Sequence, residues 1–474
     1  MNSDPEQVTE RLYALLPSLY RLRDAEQGYP LRELVAVVAE QVAAVQESLE
    51  QAYDDLFIET CAPWIVPYLG DLIGARPLHN KAPGVAGGRA EVADTLGLRR
   101  RKGTLAALEQ SARVVTGFPA VAVEYFTRMT LTQSMNHVRL ENHYTANLRG
   151  ELALESISGP FDPTARMLEV RRISSRRGRY NLPNIGLFLY RLRSFELRGA
   201  SAARLDDFRW RFNPLGIDTA LYNDPLTEMG ITDFAGPENV PLPVSRAALK
   251  ADLASGNSAF YGPSGPFQLE VDGVVIPANQ VAACNLSDKE DGSGDWAHAP
   301  AEVYGIDPVL GRIAMPTDLP APGSVVVNFR YGFSDELGGG TYERGAEIEG
   351  VPTQVLSAAA PDVQAALTAA AGGGIIEFGD SRTYTLAGLA PNLDVAADQT
   401  VEIRAANGQR PLVRVTGGGG PGAPEWVING GVGARIILNG LVISGGALRI
   451  TGDPSAVILR HCTLVPGVER TPAN

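Results

Sequence analysis

The last quarter of the sequence is built from short apolar runs separated by glycine and asparagine, and this pattern restricts the fold more than any other feature. Apolar and other residues alternate within the runs, which is typical of β-strands. Strands that recur about every 20 residues indicate the stacked turns of a solenoid. We therefore expect a right-handed parallel β-helix-like region over 351–474, with a short helix at 361–371. The runs are 375–378, 400–404, 412–415, 426–428, 435–438, 441–443, 447–450 and 457–464.

A second pattern lies near the start of the chain, where residues 8–57 have the spacing of helices. After Pro30 the apolar residues follow one another at alternating intervals of four and three, which gives a 3.5-residue period. Such a narrow seam is typical of a helix that bundles with partner helices. An amphipathic helix packed on its own domain has a similar pattern, and both interpretations stay open. The seam residues, which we predict to bind a partner, are Leu31, Val35, Val38, Val42, Val45, Leu49, Ala52 and Leu56.

Two arginine-rich segments are further candidates for partner binding. The first is the run at 99–102, which precedes a predicted helix bracketed by a cap at Thr104 and a stop at Gly117. The second extends over 166–179, where guanidinium groups suit the carboxylates of an acidic neighbour. A solvated helix entry or loop is the alternative for both segments. The candidate contact residues are Arg100, Arg101, Arg171, Arg172 and Arg176.

The pattern between these regions differs from both. Short alternating segments separated by glycine, proline, asparagine and aspartate indicate β-structure with irregular loops. The sequence thus predicts an α+β multidomain chain with a helical region at 1–118, a β-rich region at 119–336, a glycine-rich linker at 337–350 and the β-helix-like region at 351–474. No capping pattern precedes Asn474, so we expect the last region to be either short or incomplete at its C-terminal end.

Charge and cysteine content exclude several classes of function. The chain has 474 residues and a net charge of -13, unlike proteins that coat nucleic acid by neutralising its phosphates. Its 3 cysteines are far apart and form no CxxC pair, so neither a disulfide framework nor a cysteine zinc site is expected. The first residues lack the pattern of a secretion signal, and no apolar run approaches the ~18 residues of a membrane span. We expect no nucleic acid partner, no membrane span and no cofactor.

Segments spread over nearly the whole chain carry a resemblance to a known family. The first are LYALLPSLYRLRD (12–24), DDLFIETCAPWIVPYLGDLIG (54–74) and RRRKGTLAALEQSARVVTGFPAVAVEYF (99–126). Together they resemble the phage tail protein I-like baseplate family of contractile injection systems. No single motif is chemical, and the order and number of the segments carry the resemblance. Longer members of the family are similar to RGRYNLPNIGLFLYRL (177–192), RFNPLGIDTALYNDP (211–225), YGIDPVLGRIAMP (304–316), YGFSDELGGGTYER (331–344) and RHCTLVPG (460–467).

The resemblance implies a structural, non-enzymatic role. Proteins of this family are wedge subunits in which one copy joins two copies of a larger, J-like wedge protein through a bundle of helices from the three chains. The wedges form a baseplate ring that contacts neighbouring wedges and sheath-initiating or hub proteins, and the ring couples triggering to sheath contraction. The resemblance implies assembly in the cytoplasm into a phage-tail-like particle, whose final location it leaves open. It makes the seam after Pro30 the segment expected in the bundle.

A carbohydrate-binding or carbohydrate-cleaving tail spike or fibre protein is the main alternative, because β-helices often have that function in phage tails. Glycoside cleavage needs two carboxylates about 5–10 Å apart on either side of a sugar. The only tight acidic cluster of the β-helix-like region is formed by Asp394, Asp398 and Glu402. The region also has few aromatic residues on which a sugar could stack, so a structural role is preferred.

Two other chemical patterns are weaker still. Ser381 in a Gly-Asp-Ser turn and His298 in a D-x-x-H pattern stand in the reverse of the order found in esterases of that type. His137, Glu141 and His143 would share a strand face and could hold a divalent metal, but Arg139 would add a positive charge to the same row. We therefore assign no catalytic residue and no metal ligand.

Overall fold

A computed structural model of the chain describes residues 5–75, 88–130, 134–138, 149–175, 177–228, 234–257, 259–388, 392–417 and 424–465. It contains α-helices and several β-sheets, so the expected α+β class is confirmed. The chain divides into two compact units, residues 1–122 and 123–474. The first unit is mainly helical and the second consists mainly of strands.

The ends of the helices in the first unit follow local sequence signals. The helical pattern at 8–57 is divided into three helices, because Pro17 and the pair Gly28 and Tyr29 interrupt it. Both residues of that pair have positive φ, and the following Pro30 occupies the first helical position. The elements are α1 (Pro5–Ala14), α2 (Ser18–Glu26), α3 (Pro30–Asp54), α4 (Val66–Leu72), α5 (Gly88–Arg100), α6 (Leu105–Thr116) and the strand β1 (Ala120–Glu124).

Polar contacts to the backbone fix the later helices of this unit. The guanidinium of Arg89 donates to the carbonyl oxygens of Ile58 at 2.6 Å and Cys61 at 2.5 Å, which holds the turn after α3 against the start of α5. The predicted ends of α6 are confirmed. The Thr104 hydroxyl accepts a hydrogen bond from a first-turn N–H at 3.3 Å, and Gly117 ends the helix in a left-handed conformation.

The first part of the second unit contains two sheets with short helices beside them. One sheet has five strands and the other four, and most of the strand pairs in them are antiparallel. The elements are α7 (Glu151–Glu155), β2 (Ile185–Leu189), β3 (Arg193–Ser201), β4 (Ala203–Arg204), β5 (Arg209–Arg211), α8 (Arg246–Ser255), β6 (Gln268–Val271), β7 (Val274–Val275), β8 (Val281–Ala283), β9 (Tyr304–Asp307), β10 (Arg312–Ala314) and β11 (Val325–Phe333).

The strand orders are β4-β5-β10-β9-β8 in the larger sheet and β3-β11-β6-β7 in the smaller one. Their shared core contains three edge-packed aromatic rings, with the Phe212 ring 6.4 Å from that of Phe267 and 5.7 Å from that of Phe329. Next to this core, the buried Arg312 makes a two-pronged contact with Asp218, with N–O distances of 2.9 and 2.6 Å. A buried cation paired in this way costs far less than an unpaired one.

The last part of the second unit consists of three sheets in which all neighbouring strands are parallel. From β13 onward, successive strands enter the three sheets in rotation. The elements are β12 (Gln354–Leu356), α9 (Val363–Ala369), β13 (Gly374–Phe378), β14 (Thr383–Gly388), β15 (Leu393–Val395), β16 (Thr400–Ala405), β17 (Leu412–Gly417), β18 (Glu425–Gly430), β19 (Arg435–Asn439), β20 (Val442–Ser444), β21 (Ala447–Gly452), β22 (Ala456–Arg460) and β23 (Thr463–Leu464).

The register of these strands aligns apolar residues into rows. Ile376 pairs with Ile403, which pairs with Leu438, and all three side chains are buried. Leu438 pairs in turn with Leu459. Only this last interval approaches the expected repeat of about 20 residues, because the earlier turns include longer loops.

Residues 337–350, which the sequence assigns to a linker, lie against the parallel sheets. The backbone N–H of Gly339 donates to the Thr463 hydroxyl at 2.9 Å. The Arg404 guanidinium, 2% exposed in its side chain, donates to the carbonyl oxygen of Gly350 at 3.0 Å. The segment therefore packs along the strands that follow it in sequence.

Candidate assembly surface

The start of α3 is fixed by a side chain from the preceding helix. The Asp24 carboxylate accepts hydrogen bonds from the backbone N–H groups of Leu31 at 2.7 Å and Arg32 at 3.1 Å. It also accepts one from the Tyr13 hydroxyl at 2.8 Å. A negative charge at this position satisfies otherwise unpaired donors and interacts favourably with the helix dipole.

These contacts also set the charge state of Asp24. Its burial alone would raise the pKa of the carboxyl, but the hydrogen bonds from Leu31, Tyr13 and Arg32 stabilise the carboxylate and hold the pKa below its usual value. A second link joins the same helices, since the Arg32 side chain contacts Glu10 of α1 with an Nε–Oε1 distance of 3.0 Å. Two polar contacts therefore connect α3 to the elements before it.

Two alanines form the face of α3 that packs within the unit. Ala39 is 0% exposed and Ala43 6%, and they cluster with Val8 and the partly buried Leu12 of α1. Small side chains allow two helices to approach closely. Neither alanine belongs to the predicted seam, so intramolecular packing of α3 uses a different set of residues.

Most of the predicted seam lies on a second face of α3 that is open to solvent. Leu31 and Val35 are half-buried, whereas the other six are exposed. The five larger exposed side chains are between 41% and 67% accessible. At about 100° per residue they lie roughly a third of a turn away from Ala39 and Ala43. The exposed members, which we call the α3 seam, are Val38, Val42, Val45, Leu49 and Ala52 on α3 and Leu56 in the turn that follows it.

Further exposed apolar side chains lie around α4, and the sequence prediction missed them. Trp64, Tyr68 and Leu72 are between 66% and 83% accessible. The rings of the first two meet edge to face at 6.3 Å. Their four-residue spacing is the signal that could have identified them, since residues four apart share one face of a helix. The helical unit thus exposes large apolar side chains around α4 as well as on α3.

The two predicted arginines near α6 have different surroundings. Arg100 is exposed at the end of α5. Arg101 donates to the side-chain oxygen of Gln110 at 2.5 Å and to the carbonyl oxygen of Gly97 at 3.3 Å, so it connects α5 with α6. Arg100 is consequently the one that extends a charge toward solvent.

Two of the predicted arginines of the second unit lie on an exposed segment. Arg171 and Arg172 are both exposed. A guanidinium nitrogen of Arg171 is 3.5 Å from a Glu169 carboxylate oxygen, a weak contact at that distance. Arg176 lies outside the described residues.

The acidic candidates for sugar cleavage are placed on different elements. Asp394, on β15, accepts a hydrogen bond from the Asn429 side chain at 3.0 Å. Glu402 lies on β16, in another of the three sheets, where burial raises the pKa of its carboxyl although Arg404 opposes that shift. Asp398 has positive φ in the turn before β16. The three acidic residues therefore lie on separate structural elements and differ in their hydrogen-bond and backbone surroundings.

The hydroxyl of Ser381 is occupied by structural contacts. It is 1% exposed, donates to the side-chain oxygen of Gln409 at 2.8 Å and accepts from the backbone N–H of Arg410 at 3.0 Å. Of the metal candidates, Glu141 and His143 lie outside the described part of the chain, as does Arg139. Among the residues that the structure does describe, no group of three His, Cys, Asp or Glu side chains could hold a metal ion.

Within the described ranges, no helix has the length and apolar character needed to cross a membrane. Comparison of the chain with family models, with curated proteins and with solved structures found no match in any of the three. The physical character of the exposed surfaces is therefore the basis for assigning a function.

Proposed function

We propose that this protein is a structural wedge subunit in the baseplate of a contractile injection system, and that the α3 seam bundles with helices of a larger, J-like wedge protein. The observation that supports the proposal is the second apolar face of the 25-residue α3. This helix already packs on α1 through Ala39 and Ala43, so its exposed Val and Leu residues have no role in that contact. Regular apolar rows of this kind mark interaction sites.

The magnitudes favour association with a partner helix. Complete burial of a Val or Leu side chain contributes about 1.5–3 kcal/mol. Association costs about 4–15 kcal/mol in lost translational and rotational freedom. The five large side chains of the seam are already partly buried, at 41–67% accessible, so burying what remains contributes about 4–9 kcal/mol, comparable to the lower part of that cost. The 3.5-residue period suits the knobs-into-holes packing of a coiled coil.

The remaining parts of the proposal rest on the family resemblance. Two copies of the J-like protein would bind one copy of this chain, and the wedges would form a cytoplasmically assembled ring that couples triggering to sheath contraction. We also propose that the three parallel sheets are the faces of a right-handed parallel β-helix. Support comes from the rotation of strands β13 to β23 among the sheets and from the buried rows through Ile376 and Ile403.

The proposal is tested by introducing charge into the α3 seam. The chain is expressed with its gene neighbours, either as wild type or as the double variant Val42→Asp with Leu49→Asp. Because both side chains are already exposed, the variant should fold like the wild type. A buried, unpaired carboxylate in a helix bundle is strongly unfavourable, so the larger wedge protein should no longer co-purify.

The matched control carries the same charge on another face of the same helix, as Ala44→Asp with Ser48→Asp, both exposed positions. This control should keep the partner, and mass photometry of the complex should report two large subunits for each copy of this chain. Retention of the partner by the seam variant would overturn the bundle assignment. A homotrimer without any larger subunit would instead favour the carbohydrate-binding spike.

A further inference from the structure

A groove of about 890 Å³ lies in the second unit, between α7 and α8. Its walls are mainly apolar. Four of the apolar residues that line it remain between 41% and 60% accessible, namely Leu152, Ile157, Leu226 and Val309. The groove is within the size range of about 300–1,000 Å³ that is usual for sites occupied by a ligand.

The charged groups of the groove are all acidic. Glu155, Asp224 and Glu238 are the charged residues among the described residues that line it. Asp224 is paired with Arg330 at 3.0 Å. In the part of the chain that the structure describes, the carboxylates of the other two contact no cation. The groove therefore suits an apolar occupant that carries positive charge.

The same unit exposes a segment of that chemistry. Residues 167–173, which we call the arginine segment, have the sequence Met-Leu-Glu-Val-Arg-Arg-Ile. Its four apolar side chains are between 51% and 83% accessible. Arg171 makes only the long contact to Glu169, and the Arg172 guanidinium contacts no acceptor among the described residues. The segment thus combines apolar side chains, which match the groove walls, with the cationic groups that the groove lacks.

The arginine segment is held away from the groove of its own chain. Before it, the backbone N–H of Arg166 donates to the carbonyl oxygen of Arg128 at 2.8 Å. Within it, the N–H of Glu169 donates to the carbonyl oxygen of Tyr180 at 2.9 Å. No described residue of 164–180 lines the groove. The segment, held at both points, therefore does not fill the groove of its own chain.

We propose that the arginine segment of one copy docks in the acidic groove of a second copy. Arg171 and Arg172 would approach Glu155 and Glu238, while the apolar side chains would cover the walls. The two surfaces differ, so the contact is heterologous and repeats from copy to copy until it closes into a ring or continues as a filament. It is a contact between copies in the second unit, and it goes beyond the proposed binding of partner helices by the α3 seam.

The test measures self-association by sedimentation velocity of the full chain. All samples carry Val42→Asp and Leu49→Asp, so that association through the α3 seam is suppressed. This parent should associate at micromolar concentration, and raising the salt should weaken it because exposed ion pairs are screened. Arg171→Glu with Arg172→Glu, and separately Glu155→Arg with Glu238→Arg, should each weaken association at least about tenfold, as expected when like charges face each other.

Mixing the two charge-reversed variants gives the decisive result. One variant has an acidic groove and an acidic segment, and the other has a groove with two arginines and a basic segment. Opposite charges therefore meet at both contacts, so the mixture should associate by alternation of the two variants although each alone associates weakly. The control Arg435→Glu with Arg460→Glu, at two exposed arginines of β19 and β22, should associate like the parent. A monomeric parent, or a mixture that associates no better than either variant alone, would overturn the proposal. The self-association measured here does not depend on whether the α3 seam binds the larger wedge protein, so the two proposals can fail separately.

Discussion

Asp24 shows how a single residue positions a surface that it does not belong to. The residue before α3, Tyr29, makes no side-chain cap and has positive φ. The cap is supplied by the Asp24 carboxylate, which bonds to the first N–H groups of the helix and to Tyr13 of α1. Because these contacts set both the start and the docking of α3, they determine which face becomes the exposed seam.

Asp24 should make the helical unit sensitive to acid. Its pKa is lower in the folded chain than its usual value of about 3.9, so it stabilises the fold above that pH. The stabilisation is lost as the pH falls through the lower, folded-state pKa. Asp24→Asn should therefore unfold at lower urea than wild type at pH 7, and this difference should shrink near pH 3. Circular dichroism of the helices gives the urea midpoints.

The exposed Asp54 at the end of the same helix offers the control. Asp54→Asn should leave the midpoint at pH 7 close to that of the wild type. An Asp24→Asn variant that stays as stable as wild type at pH 7, or one whose deficit persists unchanged near pH 3, would contradict the assigned role.

At the scale of secondary-structure elements, the sequence pattern within one segment predicted helices and strands, but it did not predict how separate segments pack on each other. The 3.5-residue period identifies the exposed seam of α3, whereas Ala39 and Ala43 were missed because alanine is too small to mark a core face without its partner helix. Runs of large aliphatic residues located strands such as β16. The buried Tyr384 and Leu386 of β14 were missed because threonines surround them.

The candidate contact residues show the same limit. Arg100 and Arg101 are adjacent in sequence, and nothing local distinguishes them. Only the folded chain places Gln110 beside Arg101 and leaves Arg100 exposed. The groove was also beyond prediction, because its walls come from α7, α8 and loops that are far apart in sequence.

Close packing of α3 on α1 should depend on the small size of Ala43. Ala43→Leu forces extra methyl groups into a contact between helices, which typically costs about 1–3 kcal/mol. The neighbouring Ala44→Leu changes an exposed position by the same atoms and should cost less than about 0.5 kcal/mol. The free energy of unfolding, measured with urea, compares the two variants. Equal effects would show that α1 does not pack on α3 through this residue.

At the scale of the whole molecule, the two parts of the second unit are joined by contacts along their length. The N–H of Thr383 donates to the Ser201 hydroxyl at 3.2 Å. The Arg414 guanidinium donates to the carbonyl oxygen of Pro214 at 2.9 Å. Residues 337–350 add the further contacts to the parallel sheets described above. The sequence pattern separated these parts at 337–350, but the contacts join residues more than fifty positions apart and leave no local signal.

These contacts predict that residues 123–474 unfold in one cooperative transition. Phe329→Ala in the antiparallel part should cost about 3–5 kcal/mol and Ile403→Ala in the parallel part about 2–5 kcal/mol, since both side chains are buried. Calorimetry should then show the same transition moving to lower temperature in both variants. Val274→Ala and Val351→Ala, at exposed positions, should leave it in place. Two separate transitions, each moved by only one of the buried substitutions, would mean that the two parts fold independently.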